Sequence, residues 1–348
     1  MQDDWSLLKA MMQDMQKQCG LYKPSIYWRK YSKRIEKEIK KNGIADFRSN
    51  PRIGKGYADV FIDDLSFYFN GLLPELIYNF IKKLPITRRF VSRVNRFIFN
   101  KNVQVHHYKR LYYSALLSEW FEKFTFNKRL PDSLIANPHR TIPFFSQEIG
   151  EKYLYNYSLI SDVSKHVDFS RLHSVLEIGG GFGSMAHIIL SLYPNIKKYC
   201  IVDIPPILYV STQYLKHIFG DDIVIDYCEA KNRKIIEFTK SNDKELLLLS
   251  PWQMEYLDCK FDFFWNSSSF QEMTKPIVSN YAMFLKKFLT QHSQIGLFAY
   301  ANGDEKTTIS IHELINVLSS GINADLKEID SEVINNLQPG SIYIGSLK

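Results

Sequence analysis

Four glycines occupy a span of only five positions in the stretch VLEIGGGFGSM (175–185), directly after an apolar run. Glycine adopts backbone angles closed to other residues, and it leaves no Cβ in the way of a neighbouring molecule. An apolar run, a glycine turn and a helical pattern, in that order, are typical of an open parallel sheet, whose ligand lies beyond the carboxyl ends of the strands. The stretch therefore predicts an α/β fold with a ligand at this turn. The alternative is a tight turn that binds nothing.

Short apolar runs that end in Gly, Pro, Ser or Asn recur through the second half of the chain. Such runs, with helical stretches between most of them, are typical of strands buried on both faces of a parallel sheet. We therefore predict a Rossmann-like, mostly parallel sheet with an antiparallel edge at the C-terminus. The predicted parallel strands lie within 173–180, 198–205, 245–251, 261–267 and 294–302, with a short one in 222–228, and the antiparallel pair is 324–330 with 340–347.

The first 130 residues have a different pattern, with apolar residues at helical spacing between Lys, Arg and Glu. The segment 130–153, which contains three prolines and a glycine, is predicted to be an irregular connector. A domain boundary near its end gives a mainly helical domain at 1–145 and a ligand-binding domain at 146–348. Helices are predicted over 5–18, 26–41, 65–84, 87–100 and 108–124, with Ser25 or Ser32 as a cap of the second.

Composition limits the class of protein. A chain of 348 residues with 45% hydrophobic content is long enough to bury one large core or two ordinary ones. Its first residues lack a basic start followed by an apolar stretch, and no run of 18 uncharged apolar residues occurs, so we expect a soluble, cytoplasmic protein without membrane insertion. The four cysteines form no Cys-x-x-Cys pair, and we expect them to pack in the fold rather than bind zinc or form disulfides.

Charge is divided unevenly along the chain. Residues 1–150 contain 26 Lys and Arg against 14 Asp and Glu, whereas residues 151–348 contain 18 against 23. A basic half attracts anions such as phosphate, nucleotide, anionic glycan or nucleic acid. The alternative is that the Lys-rich helices are simply solvated.

Two classes of nucleotide ligand compete for the glycine turn. A Gly-x-Gly-x-x-Gly dinucleotide fingerprint would need a third glycine where the chain has Ser184, and no Gly-Lys-Ser/Thr of a P-loop follows. The pattern Glu-x-Gly-x-Gly-x-Gly over 177–183 fits without a gap. An acidic residue beside the turn is unfavourable for a pyrophosphate, and it suits S-adenosylmethionine, which carries a sulfonium and an ammonium. We therefore predict that S-adenosylmethionine is the cofactor, in contact with Glu177, Gly179, Gly180, Gly181 and Gly183.

The ends of the later predicted strands supply more candidate contacts. Asp203, at the end of the second strand, is placed to accept hydrogen bonds from ribose hydroxyls, with Ile204 beside it. The alternative for this aspartate is a helix cap before Pro205. Trp252 either covers the adenine or belongs to the core. The remaining predicted cofactor contacts are Ser250, Gln253 and Asn266.

Methyl transfer to oxygen is an in-line displacement, so the enzyme must align the acceptor hydroxyl, exclude water and accept a proton. Glu272, in the polar cluster NSSSFQEM (266–273), is the first candidate for the base, and His139 is the second. The alternatives are a helix first-turn acid for Glu272 and an exposed loop residue for His139. No metal site is expected. The predicted acceptor contacts are Arg140, Ser267, Gln271 and Tyr300.

On these motifs the chain resembles the family of sugar O-methyltransferases from bacterial surface-glycan gene clusters, a group of class I S-adenosylmethionine-dependent methyltransferases. The resemblance spans most of residues 45–303, and the last 45 residues match no motif. The motifs that carry it are VLEIGGGFGSMA (175–186), YCIVDIPPILYVSTQYL (199–215), PWQ (251–253), NSSSFQEM (266–273), FRSNPRIGKGYAD (47–59) and FFSQEIGE (144–151).

The resemblance implies the class I methyltransferase fold and a helical amino-terminal region that helps to hold the acceptor. It implies cofactor contacts at Glu177, Gly179, Gly181, Gly183 and Asp203, and it places Asn266, Gln271 and Glu272 at the acceptor.

We therefore expect an enzyme that methylates a hydroxyl of a sugar, or of a phosphorylated or nucleotide-linked precursor of a surface polysaccharide. The basic amino-terminal half favours an anionic acceptor, and a homodimer is compatible with the C-terminal hairpin. One alternative is a nucleic-acid methyltransferase, although the fourth strand lacks the Asn/Asp-Pro-Pro-Tyr/Phe signature, and we expect no nucleic-acid partner. The other alternative is a non-catalytic scaffold.

Overall fold

The fold is described from a computed structural model of the 348-residue chain. The structure describes residues 1–54, 58, 130–131, 134–139, 141–144, 147–240, 242–300, 309–331 and 340–348. The helices predicted over 65–84, 87–100 and 108–124 lie outside these residues.

An eight-stranded sheet forms the centre of the described structure. Its strands are β3 (Ser174–Ile178), β4 (Lys198–Val202), β5 (Val224–Ile225), β6 (Glu245–Leu249), β7 (Phe261–Ser267), β8 (Leu289–Tyr300), β9 (Ala324–Ile329) and β10 (Gly340–Leu347). Their order in the sheet is β5-β6-β4-β3-β7-β8-β10-β9. The first six strands in this order are parallel, and β10 pairs antiparallel with both β8 and β9. The predicted fold class, a mostly parallel α/β sheet with an antiparallel C-terminal edge, is confirmed.

Helices cover both faces of the sheet, and each face buries its own apolar cluster. Side chains alternate between the faces of a strand, so Val175 belongs to one cluster and its neighbour Leu176 to the other. The continuous apolar runs of the sequence follow from this burial on both sides. The helices are α1 (Trp5–Lys17), α2 (Ile26–Asn42), α3 (Glu151–Ser164), α4 (Ser184–Leu192), α5 (Pro205–Phe219), α6 (Tyr227–Lys231), α7 (Lys275–Phe288) and α8 (Ile311–Ile322).

The first two helices pack into the same apolar cluster as α3, α4 and α5. Helix α1 and the residues before it are tied to the sheet domain by polar contacts. The Tyr227 hydroxyl donates to Asp14 Oδ2 in α1 across 2.8 Å, and the Tyr209 hydroxyl donates to Oδ1 of Asp3, which precedes the helix, across 3.0 Å. Ser25, rather than Ser32, caps α2 and accepts a hydrogen bond from the Trp28 amide. The described part of the amino-terminal region is therefore continuous with the sheet domain, and the boundary near residue 145 stays a prediction.

The segment 130–153 is more regular than the sequence predicts, and the expectation of an irregular connector is wrong for its second half. Strand β1 (Thr141–Phe144) pairs antiparallel with β2 (Gln147–Gly150), and α3 follows at once. Pro143 lies opposite Glu148 in this two-stranded ribbon. A proline is tolerated there because an edge strand leaves some backbone N–H groups without a ladder partner.

All four cysteines have free thiols; Cys200 is buried, and Cys19 is exposed rather than packed. Among the described residues, no helix combines the length and the apolar content that a membrane crossing requires.

Candidate functional site

A cavity of about 330 Å³ opens at the carboxyl ends of β3, β4 and β7. In the sheet order, β4 lies on one side of β3 and β7 on the other, so the cavity sits where the direction of strand addition reverses. This switch point is where open α/β sheets bind their ligands. The volume lies within the range of small-molecule and cofactor sites.

The glycine turn after β3 forms one wall of this cavity. Gly179 has a φ of +77° and lies so close to Ser269 that an added Cβ would overlap the serine side chain. Its amide also donates to the Val202 carbonyl across 2.8 Å. Only glycine combines this backbone angle with this close approach at low cost.

Glu177 lies in β3 beneath the turn and is 3% exposed. Its Oε2 accepts a hydrogen bond of 2.8 Å from the Tyr199 hydroxyl. Burial and, to a smaller extent, the charge of Asp203 raise the pKa of this carboxyl to about 7, although the Tyr199 hydrogen bond and Lys152 lower it. The raised pKa shows that burial of Glu177 outweighs the stabilisation of its charged form by Tyr199 and Lys152.

Asp203 follows β4 and joins it to the glycine turn. It accepts hydrogen bonds from the backbone amides of Gly181 (3.0 Å) and Ile204 (2.7 Å). Burial raises the pKa of this carboxyl to about 7 in spite of both hydrogen bonds. Asp203 lines the cavity, and its contact with the cofactor stays a prediction.

Glu272 ends a 3₁₀ turn (Ser269–Glu272) that follows β7. Its carboxylate accepts a hydrogen bond of 2.6 Å from the indole of Trp28 in α2. Burial raises its pKa to about 7, the charge of Asp203 raises it, and the Trp28 hydrogen bond and Lys152 lower it. A carboxyl with a pKa near neutrality is suited to accepting a proton.

The structure brings together many of the residues predicted for this site. The cavity lining includes the cofactor candidates at the ends of β3 and β4, and it includes the acceptor candidates at the ends of β7 and β8. The predicted residues that line it are Glu177, Gly179, Gly180, Gly181, Asp203, Ile204, Ser267, Glu272 and Tyr300.

Gly183 is not among the lining residues. It has a φ of +90° at the start of α4, and an added Cβ would approach Leu215 to 2.8 Å. Packing between α4 and α5 therefore accounts for this glycine.

The turn after β6 also lies off the cavity lining. Trp252 is 8% exposed and packs edge-on against Tyr227, with ring centroids 5.8 Å apart. Gln253 is occupied within the fold, since Oε1 accepts from the Ser250 amide (2.9 Å) and Nε2 donates to the Tyr227 carbonyl (3.1 Å). The structure thus favours the core alternative for Trp252.

Two polar residues predicted to contact ligands instead hold neighbouring backbone. Asn266 is fully buried and donates to the Ile178 carbonyl across 2.8 Å and to Ser269 Oγ across 2.6 Å. Gln271 pairs with the backbone of Tyr300 through both ends of its amide, across 2.8 and 2.6 Å. Neither residue lines the cavity.

The second candidate base, His139, lies in an exposed position and does not line the cavity. The structure therefore does not bring it together with Glu272. Arg140, predicted to contact the acceptor, lies outside the described residues.

Several lining residues were not predicted from the sequence. Lys23, Ser25 and Trp28 reach the cavity from the start of α2, and Lys152 and Tyr155 reach it from α3. The motif FFSQEIGE (144–151) ends just before Lys152 and is the one motif of the sequence analysis that lies next to any of these residues. Among the described residues, no group of three or more His, Cys, Asp and Glu could hold a metal ion.

Residues 145–233 match the family model of the O-methyltransferase domain. This part of the chain is therefore similar to an O-methyltransferase domain. The glycine turn, Glu177 and Asp203 all fall within the matched residues. The match covers about a quarter of the chain. No curated protein matches the sequence.

Solved methyltransferase structures are also similar to this chain. Mitomycin 7-O-methyltransferase has 12% identity and a TM-score of 0.37, over 57% of each chain. Human N-acetylserotonin methyltransferase in complex with S-adenosylmethionine has 13% identity and a TM-score of 0.37, over 57% of this chain and 53% of that one. An O-methyltransferase family protein from Burkholderia thailandensis has 13% identity and a TM-score of 0.37, over 56% and 59%. The likeness thus spans little more than half of these proteins, and the assignment of the O-methyltransferase domain depends on the family match.

Proposed function

We propose that the protein transfers a methyl group from S-adenosylmethionine to a hydroxyl of a sugar, or of a phosphorylated or nucleotide-linked precursor of a bacterial surface polysaccharide. One observation carries this proposal. Glu177, Asp203 and Glu272 line a single cavity, and the pKa of each is raised to about 7.

These carboxylates fit a cationic cofactor. Burial of several acids around one space disfavours their charged forms, and a cation placed among them reverses this effect. S-adenosylmethionine supplies a methyl carbon bonded to a positive sulfur, and it also carries an ammonium. We assign Glu177 to the amino-acid end of the cofactor, Asp203 to the ribose hydroxyls, and the backbone of Gly179 to Gly181 to close contact with the cofactor.

We assign the acid–base role to Glu272. When bound here, S-adenosylmethionine would supply the methyl carbon, and its sulfur would keep the electron pair of the broken carbon–sulfur bond. The carboxylate of Glu272 would accept the proton that the acceptor hydroxyl loses as its oxygen bonds to that carbon. The chain therefore needs one well-placed base, and Glu272 lies on the cavity wall.

Three features support a sugar-type, anionic acceptor. Ser267, Ser268 and Ser269 present hydroxyl-bearing residues along the same wall, which suits a ligand with many hydroxyls. Lys23 and Lys152 are the cationic residues of the described lining and favour a phosphate or nucleotide group. The sequence motifs point to the same class of acceptor.

The same residues support a role for the amino-terminal region in acceptor binding. Lys23, Ser25 and Trp28 all come from the predicted domain at 1–145 and reach the cavity wall. A cytoplasmic location and a homodimer stay predictions; sedimentation velocity tests the second.

The test is transfer of a radiolabelled methyl group from S-adenosylmethionine to a panel of nucleotide sugars, sugar phosphates and free sugars, with single-stranded RNA and DNA as competing acceptors. We expect labelling of at least one sugar compound and none of the nucleic acids. Glu272→Gln should lower the rate about 10²- to 10⁴-fold, the usual contribution of a positioned base. Glu255→Gln, at an exposed position outside the cavity lining, is the matched control and should retain the wild-type rate. Labelling of nucleic acid alone would contradict the sugar proposal.

A further inference from the structure

Residue 272 is held at two points by the first turn of α2. The indole Nε1–H of Trp28 donates to Oε2 of Glu272 across 2.6 Å, and the hydroxyl of Ser25 donates to the backbone carbonyl of Glu272 across 2.6 Å. These residues are 244 and 247 positions away in the chain. Two short hydrogen bonds to one residue fix both its main chain and its side chain.

The Trp28 indole, which donates the hydrogen bond to the Glu272 carboxylate, is itself fixed by packing. The Trp28 ring lies edge-on to Tyr27 and Tyr31, with centroid separations of 5.9 and 5.7 Å. A side chain locked by its neighbours holds its partner in place better than a free side chain would. Trp28 also lines the cavity, so the donor is at the site rather than behind it.

The two oxygens of the Glu272 carboxylate differ in their surroundings. Oε2 accepts from Trp28, whereas Oε1 has no hydrogen-bond partner among the described residues. A carboxylate that is anchored through one oxygen can offer the other to an acceptor hydroxyl.

We propose that Trp28 is a positioning residue for Glu272, which it orients and keeps in the charged form that can take a proton. This inference rests on the proposed function only in calling Glu272 the base. It makes the start of α2 part of the catalytic apparatus as well as part of the cavity wall.

The electrostatic setting explains why such a donor is needed. Burial raises the pKa of Glu272 and Asp203 raises it further, while the hydrogen bond from Trp28 and the charge of Lys152 lower it. Without the indole N–H, the carboxyl would stay protonated to a higher pH and would be unavailable as a base near neutrality. The titratable groups that interact with Glu272 are Tyr27 from α2, Tyr300 from β8, Asp203 from the end of β4 and Lys152 from α3. Glu177, Lys23 and Tyr281 line the same cavity.

The first test follows the indole N–H itself by NMR of protein with ¹⁵N-labelled tryptophan. The chain has five tryptophans, and the signal that disappears in Trp28→Phe identifies the donor. We expect this signal to shift with pH along a single titration between pH 5 and 9, and to lose that titration in Glu272→Gln. A signal that stays constant with pH, or that titrates unchanged in Glu272→Gln, would overturn the proposal.

The second test separates the effect of the hydrogen bond to the charged Glu272 carboxylate from the effect of the ring contacts of Trp28. Hydrogen bonds to a charged partner contribute more than those to a neutral one. The loss of Tm caused by Trp28→Phe should therefore be about 2 °C larger at pH 8.5 than at pH 5.5, and this difference should vanish in the Glu272→Gln background. Tyr31→Leu, which removes a ring contact of Trp28 but not the donor, should lower Tm equally at both pH values.

An equal loss of Tm at both pH values for Trp28→Phe would show that the tryptophan acts only by packing, and it would overturn the proposal. Both tests work without an acceptor and without turnover. A failure of the sugar methylation experiment is therefore distinguishable from a failure of this inference.

Discussion

The amide of Gly181 donates a hydrogen bond of 3.0 Å to Oδ2 of Asp203 and so links the turn after β3 to the end of β4. Gly181 has a φ of +59°, an angle that L residues with branched side chains avoid. The backbone of the turn thus holds the carboxylate of Asp203 in the cavity. Its pKa stays raised because burial outweighs this hydrogen bond. Gly181 therefore combines a backbone angle that favours glycine with a hydrogen bond to a carboxylate of the proposed cofactor site.

Gly179→Ala should weaken S-adenosylmethionine binding at least tenfold and lower the free energy of unfolding by about 1–2 kcal/mol, because a side chain at positive φ is strained and would overlap Ser269. Calorimetric titration and thermal melting measure the two effects. Gly20→Ala is the matched control, because nothing lies within 4 Å of a Cβ at that position. Wild-type binding by Gly179→Ala would contradict the proposed role of the turn.

Binding of S-adenosylmethionine should release protons near pH 6.5. Glu177, Asp203 and Glu272 are partly protonated there because their pKa values lie near 7, and a cation among them lowers those pKa values. Affinity should therefore rise between pH 5.5 and 8. Titrations in two buffers of different ionisation enthalpy count the protons, and Glu177→Gln should release fewer. Equal heats in both buffers would contradict the cationic ligand.

Glu177→Gln should stabilise the ligand-free protein increasingly as pH rises. The folded pKa of Glu177, about 7, exceeds the ordinary glutamate value of 4.5, so the glutamate's contribution to stability is fully present below pH 4.5 and is lost as pH rises through 7. The difference in unfolding free energy between the variant and the wild type should grow by roughly 3 kcal/mol between pH 4.5 and 8. Denaturant melts across this range measure it, and a pH-independent difference would contradict the raised pKa.

Arg48→Ala should destabilise the junction between the amino-terminal region and the sheet domain. Arg48 is fully buried, and its guanidinium lies 5.3 Å from the Tyr153 ring and 5.2 Å from the Phe182 ring within the glycine turn. Loss of a desolvated cation–π contact costs about 2 kcal/mol or more. Arg52→Ala, a control at an exposed residue, should change stability by less than about 0.5 kcal/mol in the same denaturant melts.

Much of the sheet can be predicted because the residues that indicate a strand lie within the strand itself and in the turn that follows it. The apolar runs that become β3 and β4 end at a glycine turn and an aspartate, and in parallel strands such endings meet at one edge. The roles of Asn266 and Gln271 could not be predicted, because a polar side chain after a strand serves equally well to bind a ligand or to satisfy a backbone carbonyl.

Trp28 was missed for a different reason. In the sequence it belongs to an amphipathic helical pattern, which predicts packing and carries no information about a partner 244 residues away. Its contact with Glu272 depends on how α2 crosses the carboxyl ends of the strands, and single-sequence periodicity does not specify that arrangement.

The central claim is that the glycine turn and its carboxylates bind S-adenosylmethionine. Calorimetric titration of the protein with S-adenosylmethionine, S-adenosylhomocysteine and NAD, beside a Gly181→Val variant whose fold is checked by circular dichroism, tests it most directly. We predict binding of both methionine derivatives, no binding of NAD, and loss of binding in the folded variant. Binding of NAD alone, or wild-type affinity in Gly181→Val, would contradict this account.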